Sequence, residues 1–218
     1  MISRSFEQIK KVILDKGYKL FENGNYNINI IAVRENDVFE NTFSDTLYLL
    51  YKVAGIWKVK TYKFTTLAGT KGFGGEKNPL TKAQTGTAND GVAIIKEGQY
   101  LGAFEYTVNP SGNYPFQKYL KQVVPFTYYR DNDRNGVITR TSPQETRNNQ
   151  THFHVMSNYG DIDYINTDYV AYSQGCVGTN HHYFFNIEIG IMPILERGVK
   201  LFGIKFSFTM LHGSDFDK

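Results

Sequence analysis

The chain of 218 residues is poor in the residues that staple or break structure: one cysteine, one tryptophan, four methionines and six prolines. One cysteine excludes an internal disulfide framework and leaves Cys176 as a lone thiol. No apolar run approaches the roughly 18–20 residues of a membrane-spanning helix, so no membrane insertion is expected. The first residues, Met1 to Lys11, mix charge into every turn and hold no signal-peptide h-region, so synthesis in the cytoplasm without a signal peptide is expected. A net charge of +3 permits weak attraction to an acidic polymer, but no Lys/Arg block marks a nucleic-acid footprint. With 41% hydrophobic and 21% charged residues, the chain is neither disordered nor a coiled coil.

What the sequence has in quantity is aromatic and turn-forming: 16 Tyr, 16 Phe and 20 Gly, the composition of short strands joined by turns. Ser5 to Gln8 has capping-box spacing, Phe6, Ile9, Val12 and Ile13 form a helical stripe, and Gly17 is a helix stop. Strand patterns begin at Asn27. Thr46 to Val53 and Ile56 to Thr66 flank Ala54-Gly55 as a hairpin, and Leu67 to Asp90 reads as a long glycine-rich loop. Short strands are expected at 92–95, 103–108, 123–130 and 150–157, a helix over 184–195 ended or kinked by Pro193, and a closing strand over 200–211. The expected organisation is a helical extension over 1–26 and a mainly β domain over 27–218 with one or two helices.

Three segments carry candidate chemistry. Asp131, Asp133 and Asn135 followed by Gly136 match the start of a Ca²⁺ loop, though Ser142 stands where the loop's bidentate Glu belongs, and a plain turn uses the same residues. Thr151-His152-Phe153-His154 puts two imidazoles on one face of a strand, where they could bind metal or act as bases. Tyr172 to Val177 sets the thiol directly after Gly175, whose amide with that of Cys176 could form an oxyanion hole; His154 is the candidate base.

His154, an intervening loop, then Ser173-Gln174-Gly175-Cys176-Val177 resemble the signature of the L,D-transpeptidase (YkuD-like) catalytic domain, in particular its phage and gut-bacterial branch. Less specific matching pieces are the hairpin 47–66, Gly86-Thr87 with 93–100, the turn 129–133 and Phe206 to Thr209. The resemblance implies an L,D-transpeptidase-like β-sandwich with Cys176 as nucleophile, His154 as its base, Gly175 and Cys176 as backbone oxyanion donors and Ser173 as the first motif residue. His152 and Gln174 would contact substrate. The implied reaction is acyl transfer through a thioester on peptidoglycan stem peptides, at the bacterial cell wall, with no cofactor. The acyl group would pass to water or to an amine, making the chain a peptidase or a transpeptidase of endolysin-like use. Gln174 stands where the main family has His, Gly178 where Asn or Arg commonly follows, and the His-to-Ser interval is slightly long.

Two other readings fit the same residues. A zinc hydrolase would draw its ligands from His152, His154, Cys176 and His181 or His182, since His-x-His on a strand suits Zn²⁺. A virion or wall-binding protein would keep the fold with a degraded site.

Overall fold

The structure is a computed structural model and describes residues 2–37, 42–67, 93–110, 117–130, 138–141, 144–148, 150–156 and 175–217. It is mainly β. The largest element is an eight-stranded sheet in the order β10-β9-β6-β5-β11-β1-β2-β3. Its strands are β1 (Asn29–Arg34), β2 (Asp45–Val53), β3 (Ile56–Phe64), β5 (Gly98–Val108), β6 (Lys118–Gln122), β9 (Phe153–Val155), β10 (Val177–Thr179) and β11 (Lys205–His212). A second sheet joins β4 (Ala93–Ile95), β7 (Phe126–Arg130) and β8 (Glu145–Arg147) in the order β4-β7-β8.

The large sheet curls until its two edges meet. Just past β3, Thr65 exchanges two backbone hydrogen bonds with Gly178 of β10, at 2.8 and 3.0 Å. Beside them the Thr179 hydroxyl donates to the Lys63 carbonyl at 2.5 Å. Closure of this kind removes exposed strand edges. Inside it, alternate residues of the strands form one apolar core: Ile30, Ala32, Leu47, Leu49, Phe64, Phe104, Leu120, Phe153, Val177 and Phe208 are all buried there. Phe104 meets Phe126, Phe153 and Phe208 edge-on at 5.3–6.4 Å between ring centroids.

The other face of β1 and β2 is covered by α1 (Phe6–Asp15), so β1 is buried on both sides. Ile9, Val12 and Ile13 pack on Ile31, Val33, Tyr48, Leu50 and Leu211. The expected capping box is present: the Gln8 amide donates to Ser5 Oγ, and the Ser5 amide to Gln8 Oε1. Gly17 ends the helix at φ +69°, a conformation that costs glycine nothing. The β2–β3 hairpin turns at Ala54 (φ +49°) and Gly55 (φ +77°), the left-handed pair a two-residue hairpin requires.

The expected helix over 184–195 is two helices instead, α2 (His181–Phe185) and α3 (Ile191–Phe202). Pro193 does not end α3; it sits in the first turn, where a missing N–H leaves no hydrogen bond unmade. The closing strand starts later than expected, at Lys205, because α3 runs to Phe202 and Gly203 turns the chain at φ +87°. Strands β6, β8 and β10 were not evident in the sequence pattern. No helix among the described residues is long and apolar enough to cross a membrane.

Candidate active site

The candidate residues gather where β9 and β10 run side by side in parallel. The register pairs Phe153 with Val177, His154 with Gly178 and Val155 with Thr179. Continuing it one residue back aligns Cys176 with His152, whose carbonyl accepts the Val177 amide at 3.0 Å. Strand alternation then sorts the side chains. Phe153, Val155 and Val177 enter the core, as the sequence pattern implied for the first two. His152, His154, Cys176 and Gly178 belong to the opposite face, where Cys176 clusters with Phe43 and Met156. Cys176 and His154 thus belong to one face, one residue pair apart along the two strands.

Two glycines make this packing possible. A side chain at Gly178 would run into the His154 carbonyl and Met156. At Gly175 the backbone has φ +133°, and a Cβ would lie 2.7 Å from the Ala93 carbonyl of β4. The residue before the nucleophile candidate is therefore glycine for both conformation and space.

The thiol, set directly after Gly175, is buried, with 8% of Cys176 exposed. The His152 amide donates to Sγ at 3.4 Å, and Sγ lies 3.9 Å from the Gln150 carbonyl. Burial pushes the thiol up to about 11, and the His152 amide only partly offsets this. In this state sulfur is a protonated thiol at neutral pH.

The two histidines differ in kind. His154 is fully buried, and its Nδ1 lies 2.5 Å from the Val155 carbonyl. A carbonyl only accepts, so Nδ1 carries a proton, which in a neutral imidazole leaves Nε2 as the basic nitrogen. His152 is half-buried, leans toward β6, and accepts the Gln122 amide at Nδ1 (3.4 Å) beside the Tyr119 ring. Burial, aided by Lys121, pushes His152 down to about 4. It stays neutral above that, with its proton on Nε2.

Gln122, which the sequence did not single out, organises the entry to β9. Its Oε1 accepts the Thr151 amide at 2.8 Å and lies 3.2 Å from the Tyr128 hydroxyl, which also meets Thr151 Oγ1 at 3.0 Å. Its Nε2 donates to the Val124 carbonyl at 2.9 Å. A glutamine at the end of a strand carries no sequence signal for this role. Gln150 takes a left-handed conformation (φ +54°), its amide donating to Asn148 Oδ1 at 3.0 Å.

Ser173, Gln174 and the Ca²⁺-loop candidates Asp131, Asp133 and Asn135 lie outside the described residues. Among the described residues, no three His, Cys, Asp or Glu side chains group so as to hold a metal ion. His181 and His182 fall on α2, at the exit of β10. Compared with protein-family models, curated proteins and solved structures, the chain matches none.

Proposed function

We propose that this chain is a cysteine acyl-transfer enzyme acting on peptidoglycan stem peptides, with an L,D-transpeptidase-like site on the β9–β10 pair. The observation that supports it best is the placement of the only thiol and His154 on one face of adjacent parallel strands, His154 being held by Val155 in the tautomer whose Nε2 is basic. The substrate class comes from the resemblance of His154 and Ser173 to Val177 to that family's motif.

The chemistry then follows from the protonation states. A thiol raised by burial is no standing thiolate, so deprotonation accompanies attack. His154 Nε2 takes the sulfur proton as Sγ bonds to the peptide carbonyl carbon at the L-centre of a diamino acid. The oxyanion is held by amides near Gly175 and Cys176; donors of this kind are worth about 3–4 kcal/mol where they have been removed elsewhere. The C–N bond breaks, the His154 proton leaves with the D-alanine amine, and a thioester remains. Water or an acceptor amine attacks it, His154 takes that nucleophile's proton, and sulfur recovers a proton as the acyl group departs.

One observation favours a second reading, a wall-binding protein with an inert thiol: the same burial that raises Cys176 is typical of cysteines that serve as small core residues. Mass spectrometry of peptidoglycan fragments, after incubation with the protein and with Cys176→Ala, separates the two. A trimmed or newly cross-linked stem seen only with the thiol is the expected result, and its form distinguishes hydrolysis from transpeptidation. Unchanged fragments across several wall types, with wall binding retained by Cys176→Ala, would replace the first reading by the second.

A further inference from the structure

Arg34 closes β1 in the interior of the protein, fully buried, where an arginine is tolerated only if its donors are all satisfied. Its guanidinium has three partners on two segments, Thr66 past β3 and Ile95 with Glu97 at the end of β4. Nε donates to Thr66 Oγ1 at 3.0 Å, Nη1 to Glu97 Oε1 at 3.0 Å and Nη2 to the Ile95 carbonyl at 2.8 Å. Thr66 is fixed further by Asp45, whose Oδ2 accepts both its amide and its hydroxyl at 2.7 Å. Glu97 is fixed by the Tyr129 hydroxyl at 3.0 Å and Arg140 at 2.9 Å.

Followed outward, these bonds lead to the two residues that bracket the thiol. On one side Thr66 adjoins Thr65, which holds Gly178 by two backbone hydrogen bonds. On the other, Ile95 is the end of β4, whose beginning, Ala93, presses its carbonyl against Gly175. The first contact is a pair of backbone hydrogen bonds and the second an approach too close for any side chain, so a shift in Thr65 or Ala93 bears on the chain at Gly178 or Gly175. Cys176 lies between them.

We infer that Arg34 is a positioning residue for Cys176, tying the two walls of its turn, Thr65-Thr66 and β4, to one rigid fork. It touches neither sulfur nor substrate. As a statement about catalysis the inference rests on the proposed role of Cys176, whereas its structural content does not. Lysine, a point charge, cannot hold three acceptors in one plane. Arg34→Lys therefore releases at least one wall, and Thr66→Val releases one wall while keeping the arginine.

The test is the rate at which a small maleimide labels Cys176 in the native full chain, read by intact mass. Arg4→Lys is the control. Arg4 forms a largely buried bidentate pair with Glu35, at 2.7 Å for both bonds, on the side of the fold covered by α1. Labelling is expected to rise tenfold or more in Arg34→Lys and in Thr66→Val, and to stay within twofold in Arg4→Lys at comparable loss of thermal stability. Equal acceleration in the control, or none in Thr66→Val, overturns the inference. Should Arg34→Lys fail to fold, Thr66→Val alone decides. Where wild-type wall activity is found, Thr66→Val lowers kcat with KM little changed. Labelling that follows the expected pattern without any wall activity would leave the positioning role standing and remove the catalytic one.

Discussion

The α1–β1–β2 side of the molecule and the β9–β10 side are built on opposite plans. On the first, a ten-residue helix packs through regular apolar stripes on the six-residue β1 and the nine-residue β2, each element held by many equivalent contacts. On the second, two three-residue strands meet in a short register with close backbone approaches at glycine, where a side chain on Gly178 would meet the His154 carbonyl and one on Gly175 that of Ala93. The first plan tolerates local damage by redistributing it. The second converts a small change in one side chain into displacement of a particular atom, which is what a reacting group requires.

The contrast can be broken or sharpened in five ways. Truncating the helix stripe should cost most in stability and least at the thiol: Ile13→Ala is expected to lose about 2–5 kcal/mol in urea unfolding with native maleimide labelling of Cys176 little changed. Gly178→Ala should reverse that ranking. It loses about 1–3 kcal/mol, an overpacking cost, but displaces β10 from β9 and abolishes stem-peptide processing. If that variant keeps wild-type activity, the close approach at Gly178 is not what sets the site.

Alkaline pH sharpens the comparison on the thiol side alone. Cys176 is raised in the folded protein, so its contribution to stability is whole below the ordinary cysteine range and is lost as pH climbs toward about 11. The loss should reach about 1 kcal/mol by pH 10 and be absent from Cys176→Ala in paired unfolding curves. Acid should weaken the molecule through other groups. Burial alone would raise Glu97 and Asp37, but Arg34 and Arg140 outweigh it for Glu97, and Arg140, His212 and Arg34 for Asp37. Both carboxyls therefore sit below their ordinary values, and the stability they give above the carboxylate range is lost as pH falls through it. The smallest effect belongs to the helix cap: Ser5→Ala should cost about 1 kcal/mol and leave the thiol untouched.

The same contrast explains what the sequence disclosed. The Ser5–Gln8 cap, the Gly17 stop and the Ala54-Gly55 hairpin were legible because each is decided by residues within a few positions of one another. The sharing of one face by His152 and His154 was legible for the same reason, strand alternation being local. Strand β10 was not, since Val177-Gly178-Thr179 has no period to read and owes its conformation to partners at Phe153 and Thr65. Pro193 was misread because a proline looks alike in the first turn of a helix and at its end. Arg34 gave a faint signal, a charge closing the apolar run Ile30 to Val33, but nothing local names Thr66, Ile95 and Glu97 as its acceptors.

The seam between β3 and β10 also bears on how the chain reaches this state. Its side-chain bond joins Thr179 to Lys63, 116 residues apart, whereas the β2–β3 hairpin and α1 form from neighbours. Closing so long a loop brings no return until both edges are already ordered, so the seam belongs to the late side of the folding barrier. The expected consequence is a thiol that stays open to solvent through most of folding and is enclosed late. Pulse labelling of Cys176 during refolding would time the closure of the whole sheet.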